Sequence, residues 1–253
     1  MDLFKVSEDF KRHPWELARV RTLTKILKMI EDPENISRVI DVGCGDGFIV
    51  NNVLKEFPVE RIDAIDINLR DSEIKKISSL YNGINFHNSF EMLKTRKYNL
   101  TLLLDVLEHV EDDLLFLTGI IEKYMDLGGY CLITAPAFNC MFSSHDRFLG
   151  HYRRYNLKEL IGLINNVHLE PISSGYLFIS LIPIRVISLL YERFTKVEFM
   201  ANKGYAAWKY GIIISRIITS FLTWENVVSI TLIKFRITIP GLTVWTLCKK
   251  QRL

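Results

Sequence analysis

Short apolar runs of β-type residues alternate along much of the chain with longer stretches in which apolar positions recur every three or four residues. The runs at 38–42, 61–66, 84–87, 98–104, 130–135 and 169–178 predict strands, and a last one at 242–248 follows Pro240-Gly241. Stretches 13–30, 48–57, 112–124 and 156–165 predict helices. In the first of these Leu17, Val20, Thr24, Leu27 and Ile30 form one stripe, with Arg19, Arg21, Lys25 and Lys28 distributed around it. Pro14 suits a first helical turn, Asn156 and Glu159 read as a capping box, and acids open 112–124 as the helix dipole prefers. Strands alternating with helices predict an α/β fold with a parallel sheet and helices on both faces.

The alternation breaks at 179–237, where three apolar helical runs follow one another, at 179–194, 206–224 and 227–236. Arg185 interrupts the first, and Lys209 and Arg216 the second, so neither offers an uncharged span long enough to cross a bilayer. The segment reads first as a helical cap packed as ordinary core, and second as an interfacial patch. At 253 residues the chain is near the upper limit for one core, and no Pro/Gly/Ser-rich linker or internal repeat divides it. One domain is therefore expected: an N-terminal helical cover (1–37), a ligand-binding core (38–178), the apolar insert (179–237) and a closing strand (238–253).

Charge adds an asymmetry. The net charge is +3, yet residues 1–170 carry 21 Lys and Arg against 26 Asp and Glu, while residues 171–253 carry 11 against 3. The basic residues of the last third alternate with long aliphatic runs instead of clustering, which points toward anionic lipid and away from nucleic acid. A mean hydropathy of +0.14 fits some apolar surface facing something other than a core. Cys44, Cys131, Cys140 and Cys248 form no CxxC pair, and Met1 to Lys5 lacks a secretory layout. Reduced, mostly buried thiols in a cytoplasmic protein, with peripheral contact at the inner membrane face through 179–237, are the expectation.

The candidate chemistry centres on Asp41-Val42-Gly43-Cys44-Gly45-Asp46-Gly47, where a strand reaches an acid and three glycines follow at alternate positions. Glycines there permit a sharp turn and close approach of a ligand to the backbone. Asp66 ends the second strand 19 residues past Gly47, where an acid can accept two hydrogen bonds from a ribose diol, with Ile67 beside it. Asn88, Ser89 and Phe90 follow the third strand and offer an amide and a ring to an adenine. Past the fifth strand, a loop at 138–155 is dense in functional side chains and belongs over the ligand crevice of an open α/β sheet.

Together these segments resemble the class I S-adenosylmethionine-dependent methyltransferases: the GxGxG signature at 43–47, the acid Asp66, and the fourth-strand segment Asp105-Val106-Leu107-Glu108-His109-Val110 occur in that family's order. His13-Pro14-Trp15, the loop from His145 to Tyr155 and Pro240-Gly241-Leu242-Thr243 further resemble a bacterial and archaeal subgroup associated with surface-glycan or lipid-linked metabolism. The resemblance implies a Rossmann-like seven-stranded sheet with the last strand antiparallel and the helical insertion before it. It also implies S-adenosyl-L-methionine as cofactor, contacted by Asp41, Gly43, Cys44, Gly45, Gly47, Asp66, Ile67, Asn88, Ser89, Phe90, Asp105 and Val106.

Methyl transfer at a sulfonium carbon depends mostly on alignment and desolvation, and a general base is needed only where the acceptor has a proton to lose. His109, His145 and His151 are the candidate bases; His109 reads equally as an imidazole that fixes the loop. Arg153, Arg154 and Tyr155 are candidates for acceptor binding, the arginines as forked clamps on phosphate or carboxylate or as a loop-ordering ion-pair network. Asp105, Glu108 and His109 resemble the acid-x-x-Glu-His cluster with which certain ubiquinone-pathway O-methyltransferases hold a divalent metal; the same letters are common in metal-free relatives, and no metal is expected. The resulting expectation is methylation of a small-molecule or lipid-linked acceptor at oxygen, with C- or N-methylation of a soluble intermediate, or a non-catalytic cofactor-binding accessory protein, as alternatives.

Overall fold

A computed structural model describes residues 12–93, 96–195, 208 and 210–251. Seven strands form one sheet: β1 (Arg38–Val42), β2 (Arg61–Ile65), β3 (Ile84–His87), β4 (Tyr98–Leu104), β5 (Met125–Pro136), β6 (Leu169–Leu177) and β7 (Thr243–Lys250). Their order is β3-β2-β1-β4-β5-β7-β6. Strands β1 to β5 pair in parallel, and β7 runs antiparallel between β5 and β6. This is the Rossmann-like sheet expected, with its last strand antiparallel.

Side-chain alternation divides the core between the two faces. Leu100, Leu102 and Leu104 of β4, with Trp245 and Leu247 of β7, pack against α1 (Pro14–Leu27), α2 (Phe48–Val53) and α3 (Asp71–Leu80). Leu103, Cys131, Ile133, Val244 and Cys248 face the other way, onto α4 (Asp113–Tyr124) and α6 (Leu157–Asn165). Helix α3 was not foreseen from the pattern; Ile77 is its one buried residue, which leaves almost no stripe to read. A short helix, α5 (Ser144–Phe148), forms inside the loop that follows β5.

The insert departs further from expectation. It forms α7 (Leu181–Thr195) and α8 (Ile212–Ile233), the latter one continuous helix where two runs are predicted. Glu225 and Asn226, at the predicted break, keep helical geometry because their side chains bond elsewhere. Glu225 Oε2 accepts from Ser180 N at 3.0 Å, and Asn226 Oδ1 accepts from Phe178 N at 2.7 Å while its amide donates to Thr22 Oγ1 at 3.0 Å. The insert packs as core only in part: Leu222 and Ile230 of α8 join the main cluster, while no residue of α7 is buried and the other four buried residues of α8 are Thr219, Glu225, Asn226 and Ser229. Lys209 and residues 206–207 of the predicted second run lie outside the described residues, as do Met1 to Lys5. Among the described residues no helix is long and apolar enough to cross a membrane. Of the four thiols, three are buried and Cys140 is exposed, all unbridged.

Candidate active site

Strand β1 delivers Asp41 to the sheet's C-terminal edge, and the chain then turns through Gly43, Gly45 and Gly47, all with positive φ. Two of these positions are closed to any side chain. A Cβ on Gly43 would stand 2.6 Å from Val106 Cγ2, and one on Gly47 2.5 Å from the Phe86 ring. The turn is tied to the end of β2, where Ile65 O accepts from Gly43 N at 2.7 Å and from Cys44 N at 3.1 Å. Asp66 completes the tie: Oδ2 accepts from Gly45 N at 3.1 Å and Oδ1 from Asn68 N at 3.0 Å. Each carboxylate oxygen keeps a lone pair for a further donor.

Ile67, beside Asp66, is an apolar side chain 70% exposed. The segment after β3 is more committed than the sequence suggests. Asn88 donates to Asp71 Oδ1 at 3.1 Å, Ser89 donates to Glu91, and the Phe90 ring stacks on Tyr124 with centroids 5.7 Å apart. One face of Phe90 is thus occupied by α4, leaving at most the other to a ligand.

Beneath the turn, Asp41 is buried and its Oδ1 has no hydrogen-bond partner. Burial pushes its carboxyl up to about 8, against the pull of Arg19 and with a further push from Asp66. Burial also raises the Cys44 thiol. Arg19 itself, predicted among the cations distributed around α1, is buried. It reaches Asp105 Oδ2 at 2.8 Å and Thr134 Oγ1 at 3.0 Å, tying α1 to the ends of β4 and β5. Asp105 sits at φ 59°, a costly backbone setting for a side-chain-bearing residue, and accepts from Thr134 Oγ1 at 2.8 Å.

Beside the turn opens a cavity of about 330 Å³, with Asp41, Asp66, Ile67, Val106 and the segment after β3 outside its lining. His13, Trp15 and Arg19 roof it, Cys44, Asp46 and Ile49 come from the glycine turn and α2, and Asp105, Glu108 and His109 from the end of β4. The post-β5 loop supplies His145, Asp146, Leu149, His151 and Arg154, and Leu181, Leu242 and Thr243 complete it. Arg12 closes the roof onto the turn, ion-paired with Asp46 and with its guanidinium 4.1 Å from the Phe48 ring centroid. A wider opening at the other end of the strands, between Arg38, Asn99, Asp126 and Lys249, lies where open α/β sheets do not carry their ligands.

One buried carboxylate organises the loop. Asp146 accepts from Ser143 N at 2.8 Å, His151 Nδ1 at 3.0 Å, Arg154 Nε at 2.8 Å and Arg185 Nη2 at 2.6 Å. Those hydrogen bonds and cations, outweighing burial, hold its carboxyl well below the usual carboxylate range. Nothing in the spelling of the loop distinguishes Asp146 from its neighbours, and its partner Arg185 comes from the apolar insert. Arg154 is spent on this network and on Ala137 O at 3.2 Å, which is the loop-ordering reading of that residue. Arg153 and Tyr155 lie outside the cavity lining, against the expectation of acceptor contact: Arg153 pairs with Asp113 Oδ2 at 3.0 Å, and Tyr155, buried, donates to the same oxygen at 2.7 Å. Burial, with that pairing second, raises the Tyr155 phenol.

The three candidate bases do share the cavity. His109 and His151 meet edge to face with centroids 4.5 Å apart, and His145 stands on the first turn of α5. Burial and His151 push the His109 imidazole down to about 4, so it is neutral at pH 7. Burial also lowers His145, with Arg185 second. Glu108 is buried with Oε2 unpartnered, and burial and Asp105 raise its carboxyl far above the ordinary value. Where no metal is expected, Glu108, His109 and His151 nonetheless bring ligand atoms within 4.8 Å of one another, a set that can hold a divalent ion.

A family model described as a methyltransferase domain matches residues 15–174, more than half of the chain. The chain belongs to this methyltransferase family. Solved structures agree on the fold. The methyltransferase superposes on a SAM dependent methyltransferase from Archaeoglobus fulgidus with TM-score 0.51, at 19% identity over 91% of this chain and 94% of that one. On the YcgJ protein from Bacillus subtilis the TM-score is 0.55, at 14% identity over 92% and 99%. A curated relative, the ubiquinone biosynthesis O-methyltransferase of Rickettsia bellii (strain OSU 85-389), is 29% identical over 93 residues, 36% of this chain and 38% of that protein. The methyltransferase thus matches less than two fifths of that relative's length.

Family and fold together imply S-adenosyl-L-methionine as the cofactor of this methyltransferase. The residues present fit it: an orphaned buried carboxylate oxygen on Asp41 under a glycine turn, and an acid at the end of β2 with lone pairs to spare.

Proposed function

We propose that this methyltransferase methylates a hydroxyl oxygen of a small or lipid-linked acceptor, with His151 as general base. The carrying observation is the Asp146–His151 pair. With Nδ1 of His151 held by Asp146, the ring's other nitrogen is the proton acceptor, and His109, Leu149 and Leu181 line the same cavity. The relative named as an O-methyltransferase supports oxygen as the accepting atom.

S-adenosylmethionine supplies an electrophilic methyl group on a sulfonium. Asp41 would hold the ammonium of its methionine part, directly or through water, and Gly43, Cys44, Gly45 and Gly47 would let the backbone approach it. Asp66 would accept from the ribose hydroxyls with its spare lone pairs, and Ile67, Asn88, Ser89 and the free face of Phe90 would be left for the base. Asp105 and Val106 form the floor, Asp105 set by Arg19 and Thr134. His151 would accept the acceptor's O–H proton at its free ring nitrogen as the oxygen is methylated. His109, kept neutral, and His145 shape the acceptor pocket and exclude water. Arg153 and Tyr155 brace the loop from outside.

Methyl-labelled cofactor incubated with the protein and fractionated polar and lipid extracts tests this reading. The expected product carries the label as a methyl ether or ester. Label on nitrogen or carbon would overturn the oxygen assignment. Turnover abolished by chelation and restored by a divalent ion would reassign Glu108, His109 and His151 as metal ligands.

A further inference from the structure

We propose that the outward faces of α7 and α8 dock this protein on an anionic lipid bilayer. Both helices turn an apolar face to solvent, which a soluble surface helix does not. On α8 the face against the protein is mixed, Leu222 and Ile230 beside Thr219, Glu225, Asn226 and Ser229, and the face toward solvent carries Ile213 (72% exposed), Ile217, Phe221 and Trp224 (62% exposed). The inward polar groups are satisfied in part by the loop after β6 and by Thr22, with Ser229 donating to Tyr176 O at 2.8 Å, so this orientation is fixed by specific bonds. On α7 the apolar face is also outward. Arg185 and Glu192 turn inward, to Asp146 at 2.6 Å and to Ser144 N at 3.0 Å, while Ile184, Ile187, Leu190 and Phe194 (81% exposed) face out. Exposed apolar area of this extent marks a contact surface.

Charge selects the occupant. Arg193, Arg216, Lys234 and Arg236 are exposed on the insert, whereas its two described acids, Glu192 and Glu225, are turned into the protein. A second copy meeting this face across a two-fold axis would set those cations against cations with no outward acid among the described residues of the insert to answer them. Anionic headgroups answer them, and the aliphatic side chains enter the acyl boundary beside Trp224 and Tyr191, ring types suited to that depth. At 22 residues α8 is about 33 Å long, and with Arg216 on its exposed side and polar groups fixed to the protein it lies in the interface plane.

Flotation of the full chain with phosphatidylcholine vesicles containing phosphatidylglycerol tests the proposal, with neither cofactor nor acceptor present. The protein is expected to float with these vesicles at low salt, less at high salt, and not with pure phosphatidylcholine. Ile217→Asp combined with Trp224→Asp is expected to lower the bound fraction at least about tenfold, and Arg216→Glu with Lys234→Glu to remove the salt dependence, with cofactor affinity and circular dichroism unchanged in both. Protein that stays behind at low salt, apolar-face variants that bind as wild type, or a dimer dispersed by those variants without any flotation would each overturn it. Because flotation is read without the reaction, a failed methyl-transfer assay would leave this result standing, and the reverse.

Discussion

Oδ1 of Asp146 lies 3.0 Å from Nδ1 of His151, and both side chains are shielded from solvent, the histidine 8% exposed and the aspartate fully buried. The pair fixes which imidazole nitrogen can take a proton. Replacing His151 by Ala is therefore expected to lower kcat by about 10²–10⁴-fold while cofactor affinity by calorimetry stays within about twofold of wild type. His109→Ala should cost less, since that ring is turned by no carboxylate. Equal turnover in wild type and the His151 variant would remove the base assignment.

Asp41 links pH to both stability and binding. Its carboxyl rises from 3.8 to about 8 on folding. Below about pH 4 folded and unfolded chains both hold the proton; between there and about 8 the unfolded chain releases it and the folded chain keeps it. This group's contribution to stability therefore falls as pH rises through that window, and Asp41→Asn should flatten the fall in urea denaturation of cofactor-free protein between pH 5 and 8. Binding of an ammonium beside Asp41 favours the ionised form, so cofactor binding at pH 7 should release protons from wild type and not from the variant. Calorimetry in buffers of different ionisation enthalpy reads this directly.

Gly43 and Val106 touch across the floor of the crevice. Gly43→Ala meets both a positive φ and a Cβ contact of 2.6 Å with Val106 Cγ2. The φ alone costs about 1–2 kcal/mol, and the clash adds to it. Adding Val106→Ala should recover the steric part only, so the double variant is expected between the single variant and wild type in denaturant midpoint. Full recovery would show that the backbone conformation costs nothing here.

Asn226 joins α8 to α1 and to the chain leaving β6. Asn226→Ala leaves Phe178 N and Thr22 Oγ1 without these partners in a buried place, a loss of about 2–4 kcal/mol for the two groups, measured by urea unfolding. A change below about 1 kcal/mol would mean that water or local rearrangement satisfies them.

The strand ends were legible because apolar runs there stop at acids. Asp41, Asp66 and Asp105 mark three C-terminal strand edges within the sequence itself, and the glycines declare the turn. What escaped depends on partners far along the chain. Arg19 looks like a solvent-facing cation on α1 until Asp105, 86 residues later, is seen to receive it. Arg154 reads as a ligand clamp until Asp146 is found between it and Arg185. The two predicted runs of the insert merge into α8 because Glu225 and Asn226, which look like a break, bond to backbone at Ser180 and Phe178. An outward apolar face is equally invisible to periodicity, which finds a stripe without saying which side the protein occupies.

The sheet order has a consequence for how the protein is made. Strand β6 finds its pairing partner in β7, and the 65 residues from Phe178 to Leu242 separate the two. At ribosomal rates of about 5–20 residues per second, β6 waits roughly 3–13 seconds with both edges unpaired while the aliphatic faces of α7 and α8 emerge. The five strands β1 to β5, with the glycine turn, can form in that interval. A nascent chain therefore passes through a stage with β1 to β5 and the glycine turn in place, Leu242 and Thr243 of the cavity still to come, an open strand and two oily helices, the stage at which a chaperone or a nearby bilayer would meet it first.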